Sequence, residues 1–184
     1  MNKIKNTIRI AAFAAILFAG ATQAQTVMVG GEAMFPKKNI VENAVNSKDH
    51  TTLVAAVKAA GLVETLQGKG PFTVFAPVND AFENLPAGTV ENLLKAENKG
   101  QLTAVLTYHV VAGKYDFDAL MKAIMAGKGK AVLKTVQGGE LTFMMNGKHN
   151  IQVKDSQGNV ANIATYDVYQ SNGVIQVIDK VLLP

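Results

Sequence analysis

Thr73-Val74-Phe75-Ala76-Pro77-Val78-Asn79-Asp80-Ala81-Phe82 is the stretch that decides the fold. Its first half is aromatic and β-branched, the composition of a short buried strand over 72–76. Pro77 fixes φ and has no N–H to give to a ladder, so the strand ends there. Asn79 is expected to cap a short helical turn by accepting from free backbone N–H groups, which turns Phe82 back onto the core. A second phrase, Ser171-Asn172-Gly173-Val174-Ile175-Gln176-Val177-Ile178-Asp179-Lys180-Val181-Leu182, opens on a tight-turn dipeptide and runs on almost without a polar break. Such a run marks a strand covered on both faces. Between the two lies Leu106-Thr107-Tyr108-His109-Val110-Val111, where a helix hands over to a strand. Phe75, Phe82, Leu106 and Ile175 are expected together in one core.

Outward from these phrases the chain divides by texture. Toward the N-terminus it reads as helical. One helix begins near Asn39 and a second near Asp49, with Asp49 as N-cap. In the second, Leu53, Val54, Val57 and Ala60 share one face, and Gly61 closes it. A further turn covers 62–66, and Thr89 is expected to cap another short helix. From Gln101 a helix carries Leu102, Val105, Leu106 and His109 at i, i+3, i+4 and i+7, and 119–126 reads as helical too. Beyond Gly129 the pattern changes to short strands at 132–133, 141–145, 151–154, 160–166 and 174–178. Gly138-Gly139, Asn146-Gly147, Gln157-Gly158 and Asn172-Gly173 separate them. A helical first half and a hairpin-rich second half predict a single α+β domain over 39–184, without internal repeats. Residues 25–38, punctuated by Gly30-Gly31 and Pro36-Lys37-Lys38, show no periodic pattern and are expected to form a flexible N-terminal tether.

The two phrases and the Tyr-His dipeptide resemble the two motif boxes and the central dipeptide of the fasciclin domain, an extracellular interaction module. The resemblance covers roughly residues 37–184. It implies a β-wedge or sandwich of short strands with helices packed against it. The matching positions are Thr73, Phe75, Ala76, Pro77, Asn79, Ala81 and Phe82 in the first box, and Asn172, Gly173, Ile175 and Asp179 in the second. Their expected role is mainly structural. Tyr108 and His109 are the candidate interaction residues, because the matching neighbourhood in animal relatives is associated with integrin-mediated adhesion. Bacteria lack integrins, so that partner does not transfer to a bacterial chain. The residues themselves favour another role for His109: on the apolar side of a helix, a hydrogen-bonded core histidine is expected. The family usually carries His where this chain has Gln176. Gln keeps the hydrogen bonds but does not titrate near neutral pH, so no metal-binding or pH-sensing role is carried over.

Residues 1–24 read as a bacterial signal peptide. Lys3, Lys5 and Arg9 form a basic start, 10–21 an apolar run, and Thr22-Gln23-Ala24 offers small residues at the positions a signal peptidase reads. The run is shorter than the about 20 apolar residues that span a bilayer, and no later stretch is long enough. A mature form with no membrane span is expected to begin at Gln25. Of 18 Lys and Arg, three lie in the leader, leaving 18 − 3 = 15 against 14 Asp and Glu, a charge of +1. Arg9 is the only arginine. A chain so balanced has neither the basic stripe nor the bidentate Arg contacts of a nucleic-acid binder. It has no Cys, so an exported form relies on its core rather than on disulfides.

Catalysis finds no constellation. His50, His109 and His149 are the histidines available as bases, and neither a Gly-x-Ser-x-Gly elbow nor a His-Glu-x-x-His helix is present. Asp and Glu are scattered. No enzyme activity, cofactor or metal is expected. The function expected is a non-catalytic adhesion or interaction module, exported to act at the cell surface, in the periplasm or in an extracellular matrix. Its partner would be a surface protein or polysaccharide. The alternative is a periplasmic small-ligand or copper-binding protein on the same scaffold. Met121 and Met125 one helical turn apart, Met144-Met145, and Met28 and Met34 raise copper, since thioethers suit Cu(I). Gap-filling in a core is the plainer use of Met.

Overall fold

A computed structural model describes residues 26–184. The expected leader and its cleavage point lie outside the described residues.

The helices are α1 (Ile40–Ala44), α2 (Thr51–Ala60), α3 (Val63–Gln67), α4 (Asn79–Glu83), α5 (Thr89–Leu93), α6 (Lys99–Tyr108) and α7 (Phe117–Ala126). A hairpin of β1 (Val27–Val29) and β2 (Glu32–Met34) precedes them. The main sheet uses β3 (Phe72–Pro77), β4 (Val110–Ala112), β5 (Lys130–Lys134), β6 (Glu140–Asn146), β7 (Asn150–Lys154), β8 (Val160–Gln170) and β9 (Gly173–Ile178). Its order is β4-β3-β9-β8-β7-β6-β5. Every pairing is antiparallel except β3 with β9, which run parallel at its heart. The sheet curls until its two end strands touch through a bridge between Val111 and Thr135, and the Val136 N–H donates to the Val110 carbonyl at 2.7 Å. Helices plus this mostly antiparallel sheet make an α+β fold.

The strand expected at 72–76 and the doubly covered strand expected at 174–178 are these two central partners. All six residues of β9 are buried. Alternation along both strands creates two cores, where one was expected. Val74, Ala76, Ile175 and Val177 face α1, α2 and α6, in a cluster that includes Leu53, Val57, Leu102 and Leu106. Phe75 and Ile178 face the other way, into the wedge, with Phe143, Ile151 and Val153 from the hairpins and Leu120 and Ile124 from α7. The Phe75 and Phe143 rings lie 5.1 Å apart. Phe75 and Ile175 therefore sit in different cores, with Leu106 beside Ile175. Phe82 is half-buried at the edge, packing on the helical core and on a small cluster of Ala81, Val105 and Val181.

The tether expected over 25–38 is corrected by the β1–β2 hairpin. Gly30 and Gly31, with φ of 61° and 77°, form the two-residue turn, as mirror-image hairpin turns require. Val29 and Met34 bury into the helical core, 8% and 3% exposed. Asn43 of α1 fastens the end of the hairpin: it accepts from the Phe35 N–H at 3.0 Å and donates to the Phe35 carbonyl at 2.8 Å. Pairs of three residues are too short to leave a periodic signal.

Three expected caps differ as well. A 3₁₀ turn over Lys48–His50 leads into α2, so His50, not Asp49, occupies the N-cap position. Gly88 stands before Thr89 at the start of α5. Asn79 is the first residue of α4 rather than its cap, and its side chain serves α2 instead. It accepts from the Thr52 N–H at 3.1 Å and the Thr51 hydroxyl at 3.2 Å, and donates to the Lys48 carbonyl at 2.8 Å. Helix α1 begins where a helix was expected, and Asn39 caps it in a reciprocal box with Glu42.

Candidate functional site

The motif side chains are spent on joining elements. The Thr73 hydroxyl donates to the Gly113 carbonyl at 2.7 Å and accepts from the Tyr115 N–H at 2.8 Å, fixing the turn after β4. Ala76, Pro77 and Ala81 are buried. Asn172 accepts from the Ile40 N–H at 3.0 Å and donates to the Leu66 and Gly68 carbonyls at 2.8 and 3.0 Å, so one side chain ties α1 and α3 to the turn before β9. At Gly173 a Cβ would collide with the Phe72 carbonyl, so only Gly permits the β3–β9 approach. Asp179 accepts from both the backbone and the side chain of Asn162 at 2.7 Å, holding β8.

Tyr108 and His109 lie inside, 0% and 3% exposed. The Tyr108 hydroxyl donates to the Glu140 carbonyl at 2.7 Å and accepts from the Ser156 N–H at 3.0 Å. His109 Nδ1 faces the Val105 carbonyl at 2.8 Å, and Nε2 faces the Leu182 N–H at 2.9 Å. Those two partners fix a neutral ring: Nδ1–H donates and Nε2 accepts. Burial pushes its pKa down to about 4, against a smaller opposing effect of the Val105 carbonyl. Asp155, also buried, takes the next amide, Leu183 N–H, at 3.0 Å. His109 and Asp155 thus pin consecutive amides of the C-terminal segment. Tyr108 and His109, the candidate interaction residues, thus have their rings buried in the fold.

Gln176 is fully buried and fully bonded. Its oxygen accepts from the Asp167 N–H at 3.1 Å, and its Nε2 donates to Asp167 Oδ1 at 2.9 Å and to the Tyr115 carbonyl at 3.1 Å. Asp167 sits at φ 58°, in the irregular stretch of β8 between Thr165 and Val168. The amide thereby ties a bulge of β8 to β9.

One group outside the motifs is not spent. A cavity of about 80 Å³ lies between the helices and the β3–β9 face. Val29 and Met34 of the hairpin, Ile40, Leu53, Val57 and Ile175 line it, an almost wholly apolar wall. His50 and Ser47 line it as well. The His50 Nδ1 bonds the Ser47 hydroxyl at 2.8 Å. Its Nε2 is the one buried side-chain nitrogen or oxygen without a hydrogen-bond partner among the described residues. Burial lowers the pKa of His50, while a contact with the Ala76 carbonyl and the charge of Asp49 oppose it; that contact falls short of hydrogen-bond geometry, so Nε2 stays unpartnered. Sequence reasoning missed this site. In the sequence His50 reads as one of three histidines available as bases, and Val29 and Met34, which line the cavity, fall in the stretch expected to be a tether.

The methionines are divided among settings. Met34 is in the core, whereas Met28 and Met125 are 60% and 71% exposed, so gap-filling does not account for them. Among the described residues, no three His, Asp or Glu side chains group to hold a metal, and no helix is long and apolar enough to cross a membrane.

The sequence model of the fasciclin domain matches residues 48–184. The chain belongs to the fasciclin family. The fasciclin domain therefore accounts for β3 through β9, including both motif boxes. The protein sll1483 of Synechocystis is 47% identical over 165 residues, covering 89% of this chain and 83% of that protein. The cell surface glycolipoprotein MPB83 of Mycobacterium bovis is 33% identical over 161 residues, covering 85% of this chain and 64% of that one. Among solved structures, a fasciclin domain pair from the insect cell adhesion molecule Fasciclin I superposes with a TM-score of 0.71 at 18% identity. The match covers 81% of this chain and 52% of the pair, so this chain spans about half its length. That likeness shows the fold.

Proposed function

We propose that this protein is an exported, non-catalytic adhesion module that acts at the cell surface, in the periplasm or in an extracellular matrix. Membership of the fasciclin family over the folded body is the observation that carries this reading. A relative named a cell surface glycolipoprotein and a structural neighbour named a cell adhesion molecule support it. The chemistry agrees: the histidine at the motif centre is buried and locked neutral by two backbone partners, an arrangement suited to holding a fold rather than moving protons. Residues 1–24 serve as the export signal, and a partner meets the exposed surface rather than Tyr108 or His109. A surface protein or a polysaccharide is the expected partner, without nucleic acid.

The test is attachment. Producing cells lacking the gene should adhere less to a matrix-coated surface, and purified protein added back should restore adhesion. Unchanged adhesion in the deletion strain would count against the reading. N-terminal mass spectrometry of the exported protein should find Gln25 first. The small-ligand alternative gains an observation of its own in the cavity beside His50.

A further inference from the structure

We propose that the cavity between the hairpin, α1, α2 and the β3–β9 face binds a small neutral molecule with an apolar body and one hydroxyl group, which bonds His50 Nε2. The inference is independent of adhesion.

Three observations converge. The first is size: about 80 Å³ is several times the about 10–15 Å³ that one water needs, so the space is more than a packing flaw. The second is the wall. Water is held in protein interiors by two to four polar partners, and this wall is built from Val29, Met34, Leu53, Val57 and Ile175. Apolar cavities of this order stay dry and take up apolar molecules. The third is the unpartnered nitrogen. A buried polar atom without a partner is rare and costly, and here it belongs to a residue that lines the cavity.

The chemistry of the occupant follows. The Ser47 hydroxyl either donates to Nδ1 or accepts from it, so Nε2 is correspondingly a donor or an acceptor. A hydroxyl group satisfies both cases, because it donates and accepts. A carboxylate would be buried without a compensating cation, since burial favours the neutral ring. The lining also reaches the exposed residues Lys58 and Val136, which gives a route from solvent.

Phenol and benzene separate this proposal from simple void filling. Both are titrated into the purified protein while the amide signals of Leu53, Val57 and Ile175 and the ring signals of His50 are followed by NMR. An apolar void without a usable partner binds phenol far more weakly than benzene, because the hydroxyl loses its water. With His50 as partner, phenol should bind at least as tightly as benzene and move the His50 ring signals. In His50→Leu, phenol binding should weaken about tenfold or more while benzene binding persists. Ala44→Phe, which narrows the cavity, should abolish both. If His50→Leu does not fold, the wild-type ratio and Ala44→Phe still decide. Phenol binding weaker than benzene, saturable shifts confined to other surfaces, or no saturable shift with either probe would each overturn the proposal.

Discussion

Acid should unfold this domain partly through one histidine, and the size of the effect follows from the burial of His109. In the unfolded chain a histidine titrates near 6.5, and in the fold His109 titrates at about 4. Above pH about 6.5 the ring is neutral in both states, so the full stability is present. As the pH falls, the unfolded chain takes up a proton that the folded one refuses, and stability is lost progressively down to about pH 4. The gap of 6.5 − 4, at 1.36 kcal/mol per unit, comes to about 3 kcal/mol. His109→Gln removes this titration. At pH 7 the variant should be less stable by about 1–3 kcal/mol, because the Leu182 amide or the Val105 carbonyl loses a well-placed partner. At pH 4 the wild type should have lost that advantage, so the two curves converge or cross. Urea denaturation of both proteins at pH 7, 5.5 and 4 reads the difference directly, and carboxylates common to both cancel. A stability gap that stays constant across this range would refute the reasoning, and would mean that His109 takes up its proton inside the fold.

Phe75→Ala should cost about 3–5 kcal/mol, as expected for a fully buried aromatic that packs against Phe143, and a denaturant midpoint equal to the wild type would remove Phe75 from the wedge core. Gly173→Ala should be among the most damaging single substitutions, because its Cβ meets the Phe72 backbone rather than a movable side chain; a variant of normal thermal midpoint would contradict the close β3–β9 approach. The protein without its leader should show no salt-sensitive affinity for DNA, given 15 basic and 14 acidic residues and no arginine; binding that falls steeply with added salt would reverse that conclusion.

What the sequence made legible was whatever local chemistry decides alone. Gly61 closed a helix because a residue without a Cβ takes the left-handed conformation there at no steric cost. The 174–178 run, apolar apart from Gln176, marked the strand that both faces cover. Long-range geometry was not legible. Asn79 carries the side chain of a cap, and its sequence neighbours suggest the helix it caps, yet it serves α2, whose start is 28 residues earlier. The two cores were read as one because composition does not say to which face each residue of a central strand turns. His50 stayed hidden for a similar reason: its significance lies in lacking a partner, which depends on how a hairpin folds back over it. At Gln176 the resemblance fixed only what was missing, while the structure shows the amide holding Asp167 in an unfavourable backbone conformation.

The most direct test of the account is the binding of labelled, leader-free protein to isolated surface material of the producing cells. The account predicts saturable binding that excess unlabelled protein displaces. Phe75→Ala should lose that binding only in proportion to the folded protein it loses. Absence of saturable binding to envelope, surface polysaccharide and matrix fractions alike would contradict an adhesion module.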